Sequence, residues 1–538
     1  MHIDLAGLSS PSMNRKPLFA TQGVVATSQP LASQVGLSIL KQGGNAVDAA
    51  LAAAITLTVV EPTSCDVGGD LFALVWDGTA LHGLNGSGRA PATLTLEAVR
   101  GRGFEEIPAR GWLSVTVPGA PAAWRDLHKR FGRLPFASLF ESAIAYAEQG
   151  YPITPRTFFL WRRAVEVIHP KLHGEEFSGF DAVFAPHNHV PQIGELWLNP
   201  DLARTLRMIA QTDSEIFYRG ELAQAIAAFS AQTGGLLSVD DFAQHSSTWV
   251  APISTSYRGY DVWELPPNSQ GLTALIALNI LEGFDLRKFP RASVESYHLQ
   301  LEAIKLAFVD AQRYIADPER VDVPTRELLA QEYAARRRAL IGDQALHPEP
   351  GEPLTGSTVY LCAADAEGMM VSLIQSNADN FGSHVVVPGT GIALHNRGSA
   401  FSLDPSHPNC LEPGKRPFHT IIPAFLSRDG QAIGPFGVMG GHMQPQGHVQ
   451  MVVNTVDYHM DPQASLDAPR WYWSKDRYVR VEPTFDASVV EALTQRGHEV
   501  QVDDEIEFVG CGQIIWRLPS GVYIAGSDGR ADGCALGY

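Results

Sequence analysis

Apolar residues recur at helical spacing along most of the front of this chain. An alanine-rich stretch follows Asn45, which is a good helix N-cap, and a closely packed helix is predicted there. Further along, apolar positions repeat every three or four residues. Helices are therefore predicted at residues 202–211, 222–232 and 294–315. The front of the chain is expected to be rich in helices.

The pattern changes near residue 343. Residues 343–357 are rich in proline, glycine and acidic side chains and have no periodicity, which predicts an exposed loop. Residues 358–365 are typical of a buried strand, and residues 369–376 return as its hairpin partner. Further strands are predicted at residues 71–76, 391–394, 420–427, 478–482, 513–516 and 521–525. The back of the chain is expected to be rich in strands.

Charge and composition exclude several classes of function. The 538 residues carry a formal net charge of −18, which repels nucleic-acid phosphates and anionic membranes. The most apolar stretch, residues 49–60, is too short to span a bilayer. The five cysteines are scattered and form no CxxC pair, so neither a zinc ribbon nor a disulfide framework is supported. Because no secretory signal pattern follows Met1, we expect a soluble cytoplasmic protein.

Common catalytic motifs are missing from the sequence. It has no GxSxG elbow, no Walker A loop, no HExxH pair and no strand-embedded GxGxxG. His187 and His189 lie in a loop, and His442 and His448 lack a third ligand at a suitable spacing, so no metal is expected.

Thr358 is the residue that could carry chemistry. A threonine hydroxyl is a weak nucleophile, but a threonine that begins a chain can pass its proton to its own α-amine. That arrangement requires a cut between Ser357 and Thr358, and the sequence places a small residue and an exposed loop directly upstream. On spacing alone, a threonine that merely begins a strand is the simpler interpretation.

A series of short segments changes that balance. They include Gly43-Gly-Asn-Ala-Val-Asp near the first helix, Val67-Gly-Gly-Asp and the closing Ala531-Asp-Gly. In their order and spacing they resemble the γ-glutamyltranspeptidase family of N-terminal nucleophile hydrolases, over nearly the whole chain. The segments are residues 43–52, 67–70, 89–91, 117–124, 266–271, 302–308, 358–365, 381–382, 391–394, 415–417, 440–441 and 531–533.

The resemblance implies a fold and a way of maturing. The family is α+β, a four-layer αββα sandwich, and it is made as a proenzyme that cuts itself before a threonine. Here the cut would separate a helix-rich large subunit, residues 1–357, from a strand-rich small subunit, residues 358–538. Both would remain intertwined in one fold, and a dimer of the processed molecule stays open.

The resemblance also implies a catalytic set. Thr358 would attack an amide carbonyl to give an acyl-enzyme, which water hydrolyses or an amine accepts. The second hydroxyl that supports the nucleophile maps to Ser376. The glycines whose N–H groups face the developing negative charge map to Gly440 and Gly441, although a tight turn is the alternative there. No metal or organic cofactor is implied.

The positions that recognise the substrate depart from the family's pattern. Members that bind a γ-glutamyl group hold its α-carboxylate with an arginine, which Ser87 replaces here, and its α-amine with an acid, which Ala400 replaces. The paired serines that contact the carboxylate become His419 and Thr420. Losing the partner of a buried ammonium disfavours such substrates, so glutathione is doubtful.

Arginines that could hold a carboxylate remain near the recognition loops. Arg89 and Arg397 suit bidentate carboxylate binding, although an arginine in such a place more often forms a structural ion pair. We therefore expect an amidohydrolase acting on a small carboxylate-bearing amide such as oxamate, in purine catabolism. The alternatives are a γ-glutamyl hydrolase or transferase acting on glutathione-like donors, a glutaryl-type (cephalosporin) acylase, and an uncut, inactive paralogue that serves as a binding protein.

Overall fold

Antiparallel sheets and helices together make up the structure, a computed structural model that describes residues 15–348, 357–504 and 506–538. The predicted α+β class is confirmed. Of the predicted loop, residues 343–348 contain neither helix nor strand, and residues 349–356 lie outside the described residues. Among the described residues, no helix is long and apolar enough to cross a membrane.

Strands occur in both halves of the chain. In the described ranges they are β1 (Leu18–Ala20), β2 (Gly23–Thr27), β3 (Asp70–Trp76), β4 (Leu81–Asn85), β5 (Tyr151–Pro152), β6 (Leu196–Trp197), β7 (Thr248–Val250), β8 (Ile253–Tyr257), β9 (Tyr260–Glu264), β10 (Ser357–Asp365), β11 (Met370–Ala378), β12 (Val386–Val387), β13 (Ile392–Ala393), β14 (Ala424–Arg428), β15 (Gln431–Met439), β16 (Trp471–Lys475), β17 (Tyr478–Val481), β18 (Glu499–Val502), β19 (Cys511–Arg517), β20 (Tyr523–Ser527) and β21 (Cys534–Gly537).

Most of these strands belong to two seven-stranded sheets. Sheet I has the order β21-β2-β10-β11-β3-β4-β7, and sheet II has the order β1-β20-β19-β15-β14-β9-β8. Every described strand pair within the two sheets is antiparallel. In each sheet, strands that precede Thr358 lie beside strands that follow it.

The α-helices lie mainly in front of Thr358. They are α1 (Pro30–Lys41), α2 (Ala46–Val60), α3 (Leu96–Arg100), α4 (Ala120–Phe131), α5 (Glu141–Gln149), α6 (Pro155–Arg163), α7 (Ser178–Phe184), α8 (Pro200–Gln211), α9 (Glu215–Arg219), α10 (Glu221–Gln232), α11 (Val239–Ala243), α12 (Gly271–Glu282), α13 (Val294–Tyr314), α14 (Thr325–Leu328), α15 (Gln331–Arg338), α16 (Met443–Val456), α17 (Pro462–Asp467) and α18 (Ala487–Gln495).

The predicted alanine-rich helix is α2. Asn45 caps it by accepting from the Asp48 N–H, while the Asp48 side chain accepts from the Asn45 N–H. This capping box satisfies two of the backbone donors that the first turn of a helix leaves unpaired. Every residue of α2 is buried. Because alanine has the smallest apolar side chain, the helix can pack closely against sheet I.

Alternate residues of β10 face different apolar clusters. Val359 and Leu361 join the cluster that contains α2, whereas Tyr360 and Cys362 join a cluster shared with sheet II residues such as Phe425. The two sheets therefore pack on each other through one face of sheet I. The helices α12, α13 and α16 share a third cluster with sheet II.

Two predicted strands differ from those observed. The segment predicted at residues 420–427 begins to pair only at Ala424, because Pro423 has no N–H and the Ile422 N–H donates to the Gln444 side chain. The strand predicted at residues 521–525 is shifted to β20, since Gly521 lies in a turn with a positive φ of 86°. Strands β7, β8 and β9 interrupt the region predicted to be mostly helical.

Candidate active site

Thr358 and Ser376 meet on neighbouring strands of sheet I. Thr358 is the second residue of β10 and Ser376 lies near the end of β11, and each is 1% exposed. Their hydroxyl oxygens are 3.0 Å apart. A register shift between Ser357 and Val359 allows this contact at the start of the hairpin. The structure thus brings together the two hydroxyls that the sequence singled out.

Asp70 lies directly across from Ser376 on the third strand of this row. The two residues are register partners between β11 and β3. The Asp70 carboxylate accepts from the backbone N–H groups of Gly119 and Gly88, at 3.0 and 3.3 Å. Burial raises the pKa of Asp70 to about 7, while the nearby Arg397 charge acts in the opposite direction.

Arg397 contacts two side-chain hydroxyls of the site. Its guanidinium donates to Ser376 Oγ at 3.3 Å and to Thr420 Oγ1 at 2.7 Å. Burial lowers the pKa of Arg397 to about 10, and the Asp70 charge opposes this shift, so the guanidinium is positively charged at neutral pH. Its Nε–H has no hydrogen-bond partner. Within the described ranges, no carboxylate is near enough to Arg397 to form an ion pair with it.

His419 contacts the Asp70 carboxylate. Its Nε2 lies 3.0 Å from Asp70 Oδ2, and the ring is fully buried. His395 approaches the other Asp70 oxygen at 3.8 Å. Burial and the Arg397 charge hold the pKa of His419 well below its usual range, so the ring is neutral. These two neutral rings and Arg397 surround Asp70.

Gly440 and Gly441 connect β15 to α16. Their φ angles are 120° and 60°, values that glycine adopts without steric cost. The carbonyls of the two glycines accept from the Met443 and Gln444 N–H groups in the first turn of α16. A helix N-terminus carries partial positive charge, which favours a negatively charged oxygen nearby.

Gln270 links the glycine pair to the rest of the site. Its Nε2 donates to the Thr420 carbonyl at 2.5 Å and to the Gly441 carbonyl at 2.9 Å. Through Thr420 Oγ1 and Arg397, hydrogen bonds continue to Ser376 and Thr358. Seven of the sequence-selected residues therefore belong to one contiguous group, if the adjacent Gly440 and His419 are counted with Gly441 and Thr420.

Arg89 forms its hydrogen bonds outside the group around Thr358. Its guanidinium donates to Glu319 at 2.7 Å, to Asp317 at 3.4 Å and to the Gly414 carbonyl at 3.1 Å. About a third of the side chain is exposed. In this conformation Arg89 forms the structural ion pair that the sequence left open as its alternative role.

One cluster outside this site has the spacing of metal ligands. His298, Glu302 and His498 are buried with their ligand atoms within 4.8 Å of one another. However, the Lys305 ammonium donates to Glu302 at 2.8 Å and lies 3.4 Å from His498 Nδ1. A cation of the protein itself therefore already pairs with the carboxylate that a metal would need. The other two histidine pairs considered from the sequence do not belong to this cluster.

Comparison with known proteins identifies the family. A family model described as gamma-glutamyltranspeptidase matches residues 32–538. The chain belongs to the gamma-glutamyltranspeptidase family. The family resemblance inferred from the short segments is thereby confirmed, and this member is an enzyme, a hydrolase of amide bonds.

Relatives of this gamma-glutamyltranspeptidase-family enzyme carry several different names. The "Glutathione hydrolase-like YwrD proenzyme" of Bacillus subtilis is 37% identical, over 97% of this chain and 99% of that one. The "Oxamate amidohydrolase proenzyme" of Klebsiella pneumoniae is 34% identical, over 96% and 99%. Among solved structures, a cephalosporin acylase from Bacillus halodurans is 53% identical, with a TM-score of 0.95 and 98% coverage of both chains.

Three residues of the site were not selected from the sequence: Asp70, Gln270 and His395. Asp70 and Gln270 do lie in the Val67-Gly-Gly-Asp and Pro266-Pro-Asn-Ser-Gln segments that carried the resemblance. Their presence in those segments was the available signal. His395 directly follows the segment 391–394, but it lies outside every segment that carried the resemblance.

Proposed function

We propose that this protein is a self-cleaving N-terminal threonine amidohydrolase that hydrolyses a small carboxylate-bearing amide, such as oxamate, through an acyl-enzyme on Thr358. The observation that carries the proposal is the environment of Arg397. Among the residues that the structure describes, this buried positive charge beside the Thr358–Ser376 pair donates to two neutral hydroxyls and forms no ion pair, although the Asp70 charge acts on it from nearby.

A buried guanidinium without an anionic partner is energetically costly, because burial removes its hydration. A substrate carboxylate would offset this cost and could accept from the unpartnered Nε–H of Arg397. Only two hydrogen bonds separate this guanidinium from Thr358 Oγ1. So short a separation favours a carboxylate attached close to the reacting carbonyl, as in oxamate.

The reaction would use groups of the protein alone. Thr358 Oγ1 attacks the amide carbonyl while its proton passes to the free α-amine of the same residue. The N–H groups of Gly440 and Gly441 stabilise the negative oxygen of the tetrahedral intermediate. The C–N bond then breaks as the leaving nitrogen takes the proton. Water attacks the resulting ester, passes a proton to the amine and releases the acid, which regenerates the Thr358 hydroxyl.

Maturation requires a cut between Ser357 and Thr358, giving subunits 1–357 and 358–538. The proenzyme names of the relatives support this step. The strand orders support two subunits that stay intertwined, since both contribute strands to both sheets. The apolar clusters support the layer order helices, sheet I, sheet II, helices. We further propose a cytoplasmic location, a role in purine catabolism and a dimer as the processed form.

A glutaryl-type acylase is the second candidate. The 53% identity to the cephalosporin acylase from Bacillus halodurans favours it, and Arg397 could also hold a glutaryl carboxylate. A γ-glutamyl substrate fits less well, because its α-ammonium needs an acidic partner and Ala400 stands at the matching position. Asp70 is already bound by two backbone N–H groups and lies beside His419.

Two measurements test the proposal, the masses of the chains in the purified protein and the rates at which it hydrolyses different amides. Denaturing mass spectrometry of fresh protein should give two chains, the smaller beginning at Thr358. Oxamate, a glutaryl anilide and a γ-glutamyl anilide should then be compared by kcat/KM, and we expect the highest value for oxamate.

The role of Arg397 is tested by substitution. Arg397→Met should raise KM for oxamate strongly, whereas Arg397→Lys should raise it less. An intact, inactive chain would contradict the proposal, and fastest release from either anilide would replace oxamate with that acyl group.

A further inference from the structure

We infer that Gln270 is a positioning residue that fixes the oxyanion donors relative to the group that holds the substrate carboxylate. This inference rests on the proposed function, because it assigns a role in the same reaction. It begins with the carbonyls of Gly441 and Thr420, both of which accept from the Gln270 Nε2 amide.

Only a primary amide satisfies the contacts of this side chain. Its two N–H bonds are both used, one on each carbonyl, and its Oε1 lies 3.0 Å from His442 Nδ1. Burial lowers the pKa of His442 to about 4, so the ring is neutral and can donate from Nδ1 to that oxygen. Gln270 itself is fully buried. A carboxylate here would have no N–H to offer the carbonyls.

The glycine pair needs an external restraint. Two successive glycines have the freest backbone of any dipeptide, so the direction of their N–H groups is not set by their own side chains. The first turn of α16 restrains their carbonyls from one side, through the Met443 and Gln444 N–H groups. Gln270 restrains the Gly441 carbonyl from the side of Thr420.

The contact of Gln270 with the Thr420 carbonyl extends its effect to the group that holds the substrate carboxylate. Thr420 accepts from Gln270 with its carbonyl and from Arg397 with its hydroxyl. The amide of Gln270 therefore sets the distance between the carboxylate holder and Gly441. An oxyanion forms only in the transition state, so loosening its donors should lower kcat and leave KM nearly unchanged.

The chain provides a matched control. Gln450 is also buried, and its Nε2 donates to the carbonyls of Gln446 and Trp471 while its Oε1 accepts from the Trp471 N–H. It has the same chemistry as Gln270, but it joins α16 to β16 and contacts none of the proposed catalytic residues. Equivalent changes at the two positions separate a role in catalysis from the general effect of removing a buried amide.

The experiment compares Gln270→Leu and Gln270→Glu with Gln450→Leu and Gln450→Glu, using the amide that the wild type hydrolyses best. We expect both Gln270 variants to lose about 10- to 100-fold in kcat, somewhat less than the loss of a whole oxyanion donor. KM should change by less than about threefold, and the Gln450 variants should keep kcat per folded molecule.

Several outcomes would overturn the inference. They are an unchanged kcat in Gln270→Leu, a change confined to KM, and an equal loss of kcat in Gln450→Leu. If Gln270→Leu does not fold, Gln270→Asn replaces it, because its shorter amide cannot reach both carbonyls. If the wild type hydrolyses an amide and Gln270→Leu is equally active, only the positioning role of Gln270 is overturned. If the wild type hydrolyses no amide, the proposed function is overturned as well.

Discussion

At the scale of single residues, the site combines one buried cation with hydroxyls and neutral rings. Arg397 donates to the hydroxyls of Ser376 and Thr420, while the nearby Asp70 accepts from His419 and from backbone N–H groups rather than from Arg397. The positive charge is therefore available to a ligand. The nucleophile lies two hydrogen bonds away from it.

Thr358→Ala should give a folded chain that is uncut and inactive, because it removes the hydroxyl required for both the self-cleavage and the acyl transfer. Denaturing mass spectrometry and an amide hydrolysis assay measure the two effects. Thr358→Ser is the matched control, since it keeps a hydroxyl and should retain part of both activities. Cleavage or turnover by the alanine variant would remove Thr358 from the mechanism.

The affinity for a carboxylate substrate should depend on pH through Asp70, whose pKa is about 7. Below that pH Asp70 is neutral and the full Arg397 charge acts on the substrate. Above it, the Asp70 charge competes, so KM should rise by roughly tenfold, which corresponds to about 1.4 kcal/mol. KM measured between pH 6 and pH 8 checks this, and Asp70→Asn should flatten the profile. A KM that falls with pH would contradict the direction.

At the scale of secondary structure, one hairpin and one turn complete the site. The β10–β11 hairpin aligns the hydroxyls at its open end, and the turn from β15 into α16 presents the glycine pair at a helix N-terminus. Both elements depend on backbone conformations as well as side chains. Substitutions that alter only the backbone therefore test the element rather than the functional group.

Gly440→Ala should reduce kcat strongly, by about 100-fold or more if an oxyanion donor is displaced. At a φ of 120°, a Cβ is strained, and it would lie 3.1 Å from the Gly510 Cα. Gly430→Ala is the control, because Gly430 also has a positive φ, 71°, but has open space around it and lies in the turn between β14 and β15. Both variants should lose stability in thermal unfolding, but only the first should lose kcat.

Most of these elements could be predicted from the sequence, and the reasons differ between them. The helix α2 was predicted because Asn45 and Asp48 form a local cap, and the hairpin because its two apolar runs flank a turn. The strand predicted to begin at residue 420 was wrong as far as Ala424, because the backbone there donates to the distant Gln444 side chain and not to a neighbouring strand. Patterns that depend on neighbours in sequence were informative, and patterns set by distant contacts were not.

The site divides in the same way. Thr358, Ser376 and Arg397 follow from residue type and spacing within the family resemblance. The roles of Asp70 and Gln270 arise from contacts with His419 and Gly441, which are far away along the chain. Such contacts leave no periodic signal. The geometry of sheet I and sheet II was needed to find them.

At the scale of the whole molecule, the two proposed subunits share both sheets. Strands β2 and β3, from the front of the chain, lie on either side of the β10–β11 hairpin, from the back. Separation of the pieces would break hydrogen bonds along both edges of that hairpin. It would also expose the apolar clusters on both faces of sheet I.

The cut protein should therefore behave as one particle in native size-exclusion chromatography and as two chains on a denaturing gel. After complete denaturation, uncut Thr358→Ala should recover its native structure in higher yield than the cut wild type. Refolding of two separate chains requires strands of one to insert between strands of the other. Equal recovery of native circular dichroism by both proteins would contradict this expectation.

The interleaved strands also fix an order of events and a lifetime. If the chain is cut before Thr358 as proposed, it must finish folding first, because the ribosome delivers the strands of sheet I in one covalent piece and the cut then removes that connection. Each cleaved molecule consequently folds once. Its working life is limited by how slowly it unfolds, since a molecule that opens after maturation has lost the continuity that first assembled it.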